Sequence, residues 1–252
     1  MRISLNSTYT KLRTILGDIL YPKYCVSCGK PGAMLCTDCK NSLSGYQSVC
    51  IYCRRGSIGG MTHPKCKTYT TFMSSYSYYV YNDVLKKIIY EFKYKHNRSI
   101  FKLVYNLIYE RQKLFRLPPS AILVPVPLHP QKLKERGYNQ ANELSKVISQ
   151  IYGLDIVDCL ERVKYTQTQT KMSVRKRKEN VNNAFSPKHE FRDTLHRDII
   201  IVDDVITSGS TINECAKCFS QAGQNIHALS LAIATHHTYS QTTSPEETVQ
   251  TK

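Results

Sequence analysis

Ile199-Ile200-Ile201-Val202-Asp203-Asp204-Val205-Ile206-Thr207-Ser208-Gly209-Ser210-Thr211 decides how this chain folds. Ile199 to Val202 are apolar and β-branched throughout, the composition of a strand buried on both faces. Asp203 and Asp204 stand at its carboxyl end. Small hydroxylated residues around Gly209 follow, and then a helical pattern from Ile212 to Ala222. In an open α/β sheet ligands bind outside the carboxyl ends of the strands. The free N–H groups of such a loop lie at the positive end of the helix dipole, so the loop Thr207, Ser208, Gly209, Ser210 and Thr211 is a cradle for phosphate. Adjacent carboxylates just before it suit a pair of vicinal hydroxyls, directly or through Mg²⁺. The ligand implied is a ribose 5-phosphate unit. No Gly-Lys-Ser/Thr follows, which excludes a Walker A loop.

Working outward, Ala121–Val126 reads as a second buried strand and Asn139–Tyr152 as a helix, with a further strand over Ile226–Ala234. Thr70–Tyr81 is Tyr-rich and β-like. Asn82–Lys93 places Val84, Leu85, Ile88, Ile89 and Phe92 on one helical face, and a second helix is predicted over Ile100–Phe115, before Pro118-Pro119. Strands alternating with helices predict an α/β fold with a mostly parallel sheet flanked by helices. Residues 1–21 have apolar positions at helical spacing and predict a short leading helix. The end, 237–252, has almost no apolar residues and is expected to be a disordered tail.

Between Cys25 and Cys66 the composition shifts to Cys, Gly and Lys, too poor in large apolar residues to fold by core burial. Seven of the ten cysteines fall in these 42 residues, as Cys25-x-x-Cys28, Cys36-x-x-Cys39, Cys50-x-x-Cys53 and His63-x-x-Cys66. Paired knuckles of this kind give the tetrahedral thiolate geometry of structural zinc. The simplest assignment is two successive ribbons over 22–69, Cys25/Cys28/Cys36/Cys39 and Cys50/Cys53/His63/Cys66. Crossed pairing of the knuckles, and a loop role for His63 beside Pro64, are the alternatives. Cys215 and Cys218, inside the helix after the phosphate loop, are read as core residues.

The chain has 252 residues, 41% of them hydrophobic, enough for one α/β domain with a small appendage. Its formal net charge of +16 favours polyanionic partners or substrates, nucleic acid among them. Arg162 to Lys178 holds seven basic residues and no acidic one. No apolar run approaches the roughly 18 residues of a membrane span, and no secretory leader is evident, so stable membrane insertion is not expected and a cytoplasmic location is.

Two further segments narrow the fold class to a family. Val124-Pro125-Val126-Pro127-Leu128-His129 with Lys132 and Arg136-Gly137-Tyr138-Asn139-Gln140 joins a strand to a helix and has the look of a pyrophosphate loop. Arg162, Thr166, Gln169, Met172, Ser173, Arg177, Asn180, Val181, Ala184 and Phe185 follow. The Asp-Asp string resembles the phosphoribosyl pyrophosphate (PRPP) motif of type I phosphoribosyltransferases. With the cysteine module and these segments, the chain resembles the ComF (competence protein F) family over roughly residues 20–235. It departs by Tyr138 for Phe, Met172 for Leu and the His63 knuckle.

The resemblance implies a type I phosphoribosyltransferase-like domain over 70–236 with an N-terminal zinc-ribbon module, serving DNA uptake in natural transformation. It implies PRPP bound with Mg²⁺ by Asp203, Asp204 and 207–211, and Val126, Pro127 and Arg136 beside the pyrophosphate. The 162–180 segment would close over it, with Arg177 covering the departing charge and Lys171 or Arg175 assisting. Purine-salvage relatives usually carry an Asp three residues after the acidic pair; Thr207 stands there, which disfavours purine acceptors. The implied activity is phosphoribosyl transfer to an unknown acceptor. The alternative is a non-catalytic zinc-containing adaptor for single-stranded DNA or the uptake machinery.

Overall fold

The structure is a computed structural model that describes residues 23–45, 48–67, 72–95, 98–165, 181–188, 197–219 and 224–234. The expected leading helix, the tail, and the closing segment with Thr166, Gln169, Lys171, Met172, Ser173, Arg175, Arg177 and Asn180 lie outside the described residues. The chain divides into two compact units. One contains Met1–Leu43 and Asp83–Val104, the other Ser44–Asn82 and Tyr105–Lys252.

In the first unit, a short helix α1 (Thr37–Asn41) begins directly after Cys36, and α2 (Asp83–Tyr94) buries Leu85, Ile88, Ile89 and Phe92. These are the positions that the i, i+3, i+4, i+7 spacing picks out. Phe92 meets Phe101 edge-on, with ring centroids 5.2 Å apart. Phe101 belongs to α3 (Arg98–Glu110), which stops five residues before the predicted end because the chain turns at Arg111–Gln112. The unit boundary falls within α3.

The second unit is built on a sheet of β1 (Phe72–Val80), β2 (Ile122–Pro125), β3 (Asp155–Ile156), β6 (Ile199–Ile206) and β7 (Ile226–Ile233). Their order is β1-β7-β6-β2-β3, and all four pairings are parallel. A separate antiparallel pair joins β4 (Leu160–Arg162) to β5 (Phe185–Pro187). Every residue of β2 and β7 is buried, which explains why both are mainly apolar without the polar alternation of a half-exposed strand; His227 and Ser230 are the buried polar residues of β7. Helices α4 (Pro130–Arg136) and α5 (Gln140–Tyr152) follow β2, and α6 (Ser210–Lys217) follows β6. α5 packs on β2 and β6, and α6 on β6.

Two local features depart from the sequence expectation, and a third agrees with it. β6 does not stop at the acidic pair but continues to Ile206, because Val205 and Ile206 still pair with Ala232 and Ile233 of β7. The helix α4 was not anticipated; Pro130 at its first turn and Gly137 at its left-handed C-cap (φ 81°) are its start and stop. The Tyr-rich strand β1 is sheet packing. Tyr78 and Tyr79 are fully buried, and the Tyr79 hydroxyl donates to the Leu107 carbonyl at 3.0 Å.

Candidate functional site

β2 and β6 are neighbours, yet the chain leaves them in opposite directions: from β2 through α4 and α5 to β3 on one side, from β6 through α6 to β7 on the other. Such a reversal opens a crevice at the carboxyl ends, where backbone of neither connection covers the sheet. β2 ends at Pro125 opposite Val202, and the Val126 N–H closes the ladder on the Val202 carbonyl at 2.9 Å. Asp203 is the next residue of β6. It and Asp204 therefore lie where β6 has lost β2 but still pairs with β7. Asp204 is buried, and the Asp203 carboxylate accepts its N–H at 2.8 Å.

Beyond the pair, Thr207, Ser208, Gly209, Ser210 and Thr211 form a half-buried turn into α6. Gly209 is left-handed (φ 74°), which a residue with a Cβ adopts only at a cost. Ser208 Oγ lies 2.8 Å from Ser210 Oγ and accepts the Ser210 N–H at 3.4 Å, so both hydroxyls sit at the helix start. On the β2 side, Asn139 caps α5 by accepting from Ala141 N–H, and its Nδ2 donates to the Val126 carbonyl at 3.0 Å. That fixes the segment bearing Val126 and Pro127, both buried. Arg136 is held by a 2.9 Å bond to Gln140 Oε1.

Arg162, at the end of β4, belongs with these groups. Its guanidinium stands 5.3 Å over the Phe185 ring. Burial pulls its pKa below the ordinary guanidinium value; the charge of Asp203 acts against this and that of Arg136 with it. On the β2 side a cleft of about 520 Å³ is lined among others by Pro127, Leu128, Tyr138, Asn139, Arg162 and Lys188; none of residues 203–211 lines it. Val126 and Pro127 thus follow the end of β2, and Asp203, Asp204 and 207–211 follow the point where β6 leaves β2, while Arg177 lies outside the described residues. Cys215 and Cys218 are packing residues, Cys215 fully buried and Cys218 with its thiol 3.8 Å from the Phe185 carbonyl.

A scan against models of known protein families finds no match. Individual relatives are clearer. The chain is 33% identical over 160 residues to competence protein F of Haemophilus influenzae, an alignment spanning 61% of this chain and 70% of that protein. This chain belongs to the ComF family. Within it, competence protein ComFC of Bacillus subtilis is 24% identical over 216 residues, covering 77% of this chain and 81% of the relative. DNA utilization protein YhgH of Salmonella typhi is 27% identical over 215 residues, covering 80% and 92%.

The cysteines of this ComF chain gather as the successive assignment predicts: Cys25, Cys28, Cys36 and Cys39 in the first unit, Cys50, Cys53, His63 and Cys66 in the second, each with ligand atoms within 4.8 Å of one another. Cys28 and Cys36 sulfurs are 3.6 Å apart, and Cys53 Sγ is 3.3 Å from His63 Nδ1. A tetrahedron with metal–sulfur bonds near 2.3 Å has sulfurs roughly 3.8 Å apart, so each group can hold a zinc ion. His63 Nε2 lies 3.0 Å from the Gly56 carbonyl, to which it can donate, leaving Nδ1 as the ligand.

The charge pattern fits as well. Burial opposes a Cys25 thiolate, but backbone donors at Cys36, Cys28 and Ser27 outweigh it and bring the pKa to about 6. Cys39, despite a bond from Ser27, is pushed up to about 12 by burial and its three sister thiols. Four sulfurs cannot all ionise without a cation among them. No helix among the described residues is long and apolar enough to cross a membrane.

Proposed function

We propose that this chain is a Mg²⁺-dependent, PRPP-binding phosphoribosyltransferase acting in bacterial DNA uptake, with a type I phosphoribosyltransferase-like domain over 70–236 and a double zinc ribbon over 22–69. One observation carries this reading. The acidic pair and the hydroxyl-rich turn occupy the strand ends where the chain's connections diverge, with Val126 and Pro127 following the end of the neighbouring strand β2.

In this reading the 207–211 turn binds the 5-phosphate through its N–H groups and hydroxyls, and Asp203 and Asp204 hold the ribose hydroxyls. The segment Val126-Pro127 and Arg136 take the pyrophosphate, and Arg177 covers it. Mg²⁺, held with PRPP by the acidic pair, would neutralise charge on the departing group. The protein's own part is to fix C1 of the ribose for attack, exclude water, and place guanidinium groups where negative charge grows. Thr207 in the position of a purine-salvage Asp argues for an acceptor other than a purine base. The names of the competence and DNA utilization relatives support the DNA-uptake setting.

A second reading has its own support. On α2 the Tyr90 and Tyr94 rings lie 4.9 Å apart and both are exposed, among Lys86, Lys87, Lys93 and Lys95. Stacking rings among cations suit single-stranded nucleic acid, as a zinc-containing adaptor would need. Calorimetric titration with PRPP and Mg²⁺, beside a screen for pyrophosphate release with bases, amines and single-stranded DNA, separates the two. The enzyme reading expects binding that Asp203→Asn/Asp204→Asn abolishes and release with one acceptor class. Unchanged PRPP affinity in that double variant refutes the site.

A further inference from the structure

We infer that Arg54, a residue of the second cysteine knuckle, is a phosphate-binding residue of the 207–211 turn, so that the metal module and the phosphate site share a side chain. The inference rests on the phosphate reading of that turn. Its basis is a comparison of the two knuckles. In the first, Cys25-x-x-Cys28 is followed by Gly29, whose N–H donates to the Cys25 carbonyl at 2.9 Å, and Cys25 N–H donates to the Lys30 carbonyl at 2.8 Å. In the second, Arg54 N–H donates to the Cys50 carbonyl at 2.9 Å, and Cys50 N–H to the Arg55 carbonyl at 3.0 Å. The turn is the same. It requires a left-handed residue, φ 76° at Gly29 and φ 60° at Arg54.

Glycine meets that requirement without strain, whereas arginine does not. The second knuckle therefore carries a long cation where its own geometry favours glycine, and the side chain's destination supplies a reason. Both terminal nitrogens of Arg54 are buried, and a Cβ placed on Gly209 would stand 3.0 Å from Arg54 Nη2. The guanidinium thus lies against the apex of the phosphate turn. The knuckle is fastened there independently: Ile51 is buried in the core beside the same glycine, and the Tyr52 hydroxyl lies 3.4 Å from Asn213 Oδ1 on α6. A rigid fork on a backbone pinned by metal ligands is pre-organised for a phosphate dianion, with little side-chain freedom left to lose.

The same contact explains Gly209. Any side chain there would press on the guanidinium as well as adopt a positive φ. Arg54 takes the 5-phosphate end of the ligand, and Val126, Pro127 and Arg136 remain with the pyrophosphate end. The two ends can therefore be probed separately.

The test is calorimetric titration of the zinc-loaded full chain with ribose 5-phosphate, with inorganic pyrophosphate plus Mg²⁺, and with PRPP plus Mg²⁺, for the parent, Arg54→Gly and Arg54→Lys. Arg54→Gly copies the first knuckle and is expected to keep its zinc and its Tm. Its affinity for ribose 5-phosphate should fall about tenfold or more, as loss of a charge-assisted contact requires. Arg54→Lys should fall less, and pyrophosphate affinity should change less than about twofold. Arg54→Gly binding ribose 5-phosphate as the parent does overturns the inference, as does an equal loss for pyrophosphate. A parent that binds no ribose phosphate overturns instead the phosphate reading beneath it. Should Arg54→Gly release zinc, Arg54→Gln carries the same comparison with the parent's side-chain bulk.

Discussion

Glu214 offers a stability test of the way α6 ties the 207–211 side of the crevice to β5. Although charged, it is only 7% exposed. Its Oε2 accepts the Asn183 N–H at 3.2 Å, and its Oε1 meets Lys217 Nζ one turn on. Asn183 is left-handed (φ 52°), so the turn that launches Phe185 into β5 is clamped from outside itself. A backbone bond to a carboxylate contributes about 1.5–3 kcal/mol. Lys217 is 44% exposed, so solvent screening holds its share to a few tenths of a kcal/mol. Glu214→Ala should thus lose about 2–3 kcal/mol, while Glu214→Gln, which keeps an acceptor, should lose about 1 kcal/mol. For a unit of this size each kcal/mol moves Tm by about 2–4 °C, which gives a drop of roughly 4–12 °C for the alanine variant. Circular dichroism suits the measurement because the chain has no tryptophan. Hydrogen exchange should show the Asn183 amide losing protection. A Glu214→Ala protein within about 0.5 kcal/mol of the parent, or an Asn183 amide that stays protected, would refute the clamp.

Other outcomes follow from the same structure. His227 is buried on β7 with Nδ1 2.7 Å from Ser74 Oγ, and burial lowers its pKa. The unfolded chain then takes a proton near pH 6.5 that the folded chain refuses, so this contribution is present above about pH 6.5 and is lost as pH falls below it. His227→Gln should flatten the stability profile between about pH 5 and 7, and an unchanged slope counts against the assignment. Metal analysis should find about two zinc per chain, and chelation should lower the stability of both units. His63→Ala should reduce the content toward one; a parent that holds a single zinc removes the His63 site.

The sequence by itself determined the parts whose signal is local. Ile199–Val202, Ala121–Val126 and Ile226–Ala234 are buried parallel strands because apolar runs without regular polar alternation suit no half-exposed element. The cysteine spacings likewise marked the individual knuckles, since a knuckle's geometry is set by residues three apart, while the structure decided that they group in succession with His63 in the second set. The boundaries were harder to read. The strand through Asp203 and Asp204 extends to Ile206 because β7 lies alongside it, and pairing with a distant strand leaves no mark on the residues themselves. α4 hid in a Pro-rich, basic connection that has no apolar stripe. Tertiary structure alone decided that β2 and β6 are neighbours whose connections diverge, that Arg162 lies within electrostatic reach of Asp203, and that Arg54 of a cysteine knuckle rests against Gly209. Strand order and close approach between segments distant in sequence are properties of the packed chain. No window of sequence contains both partners, so only the fold can bring them together.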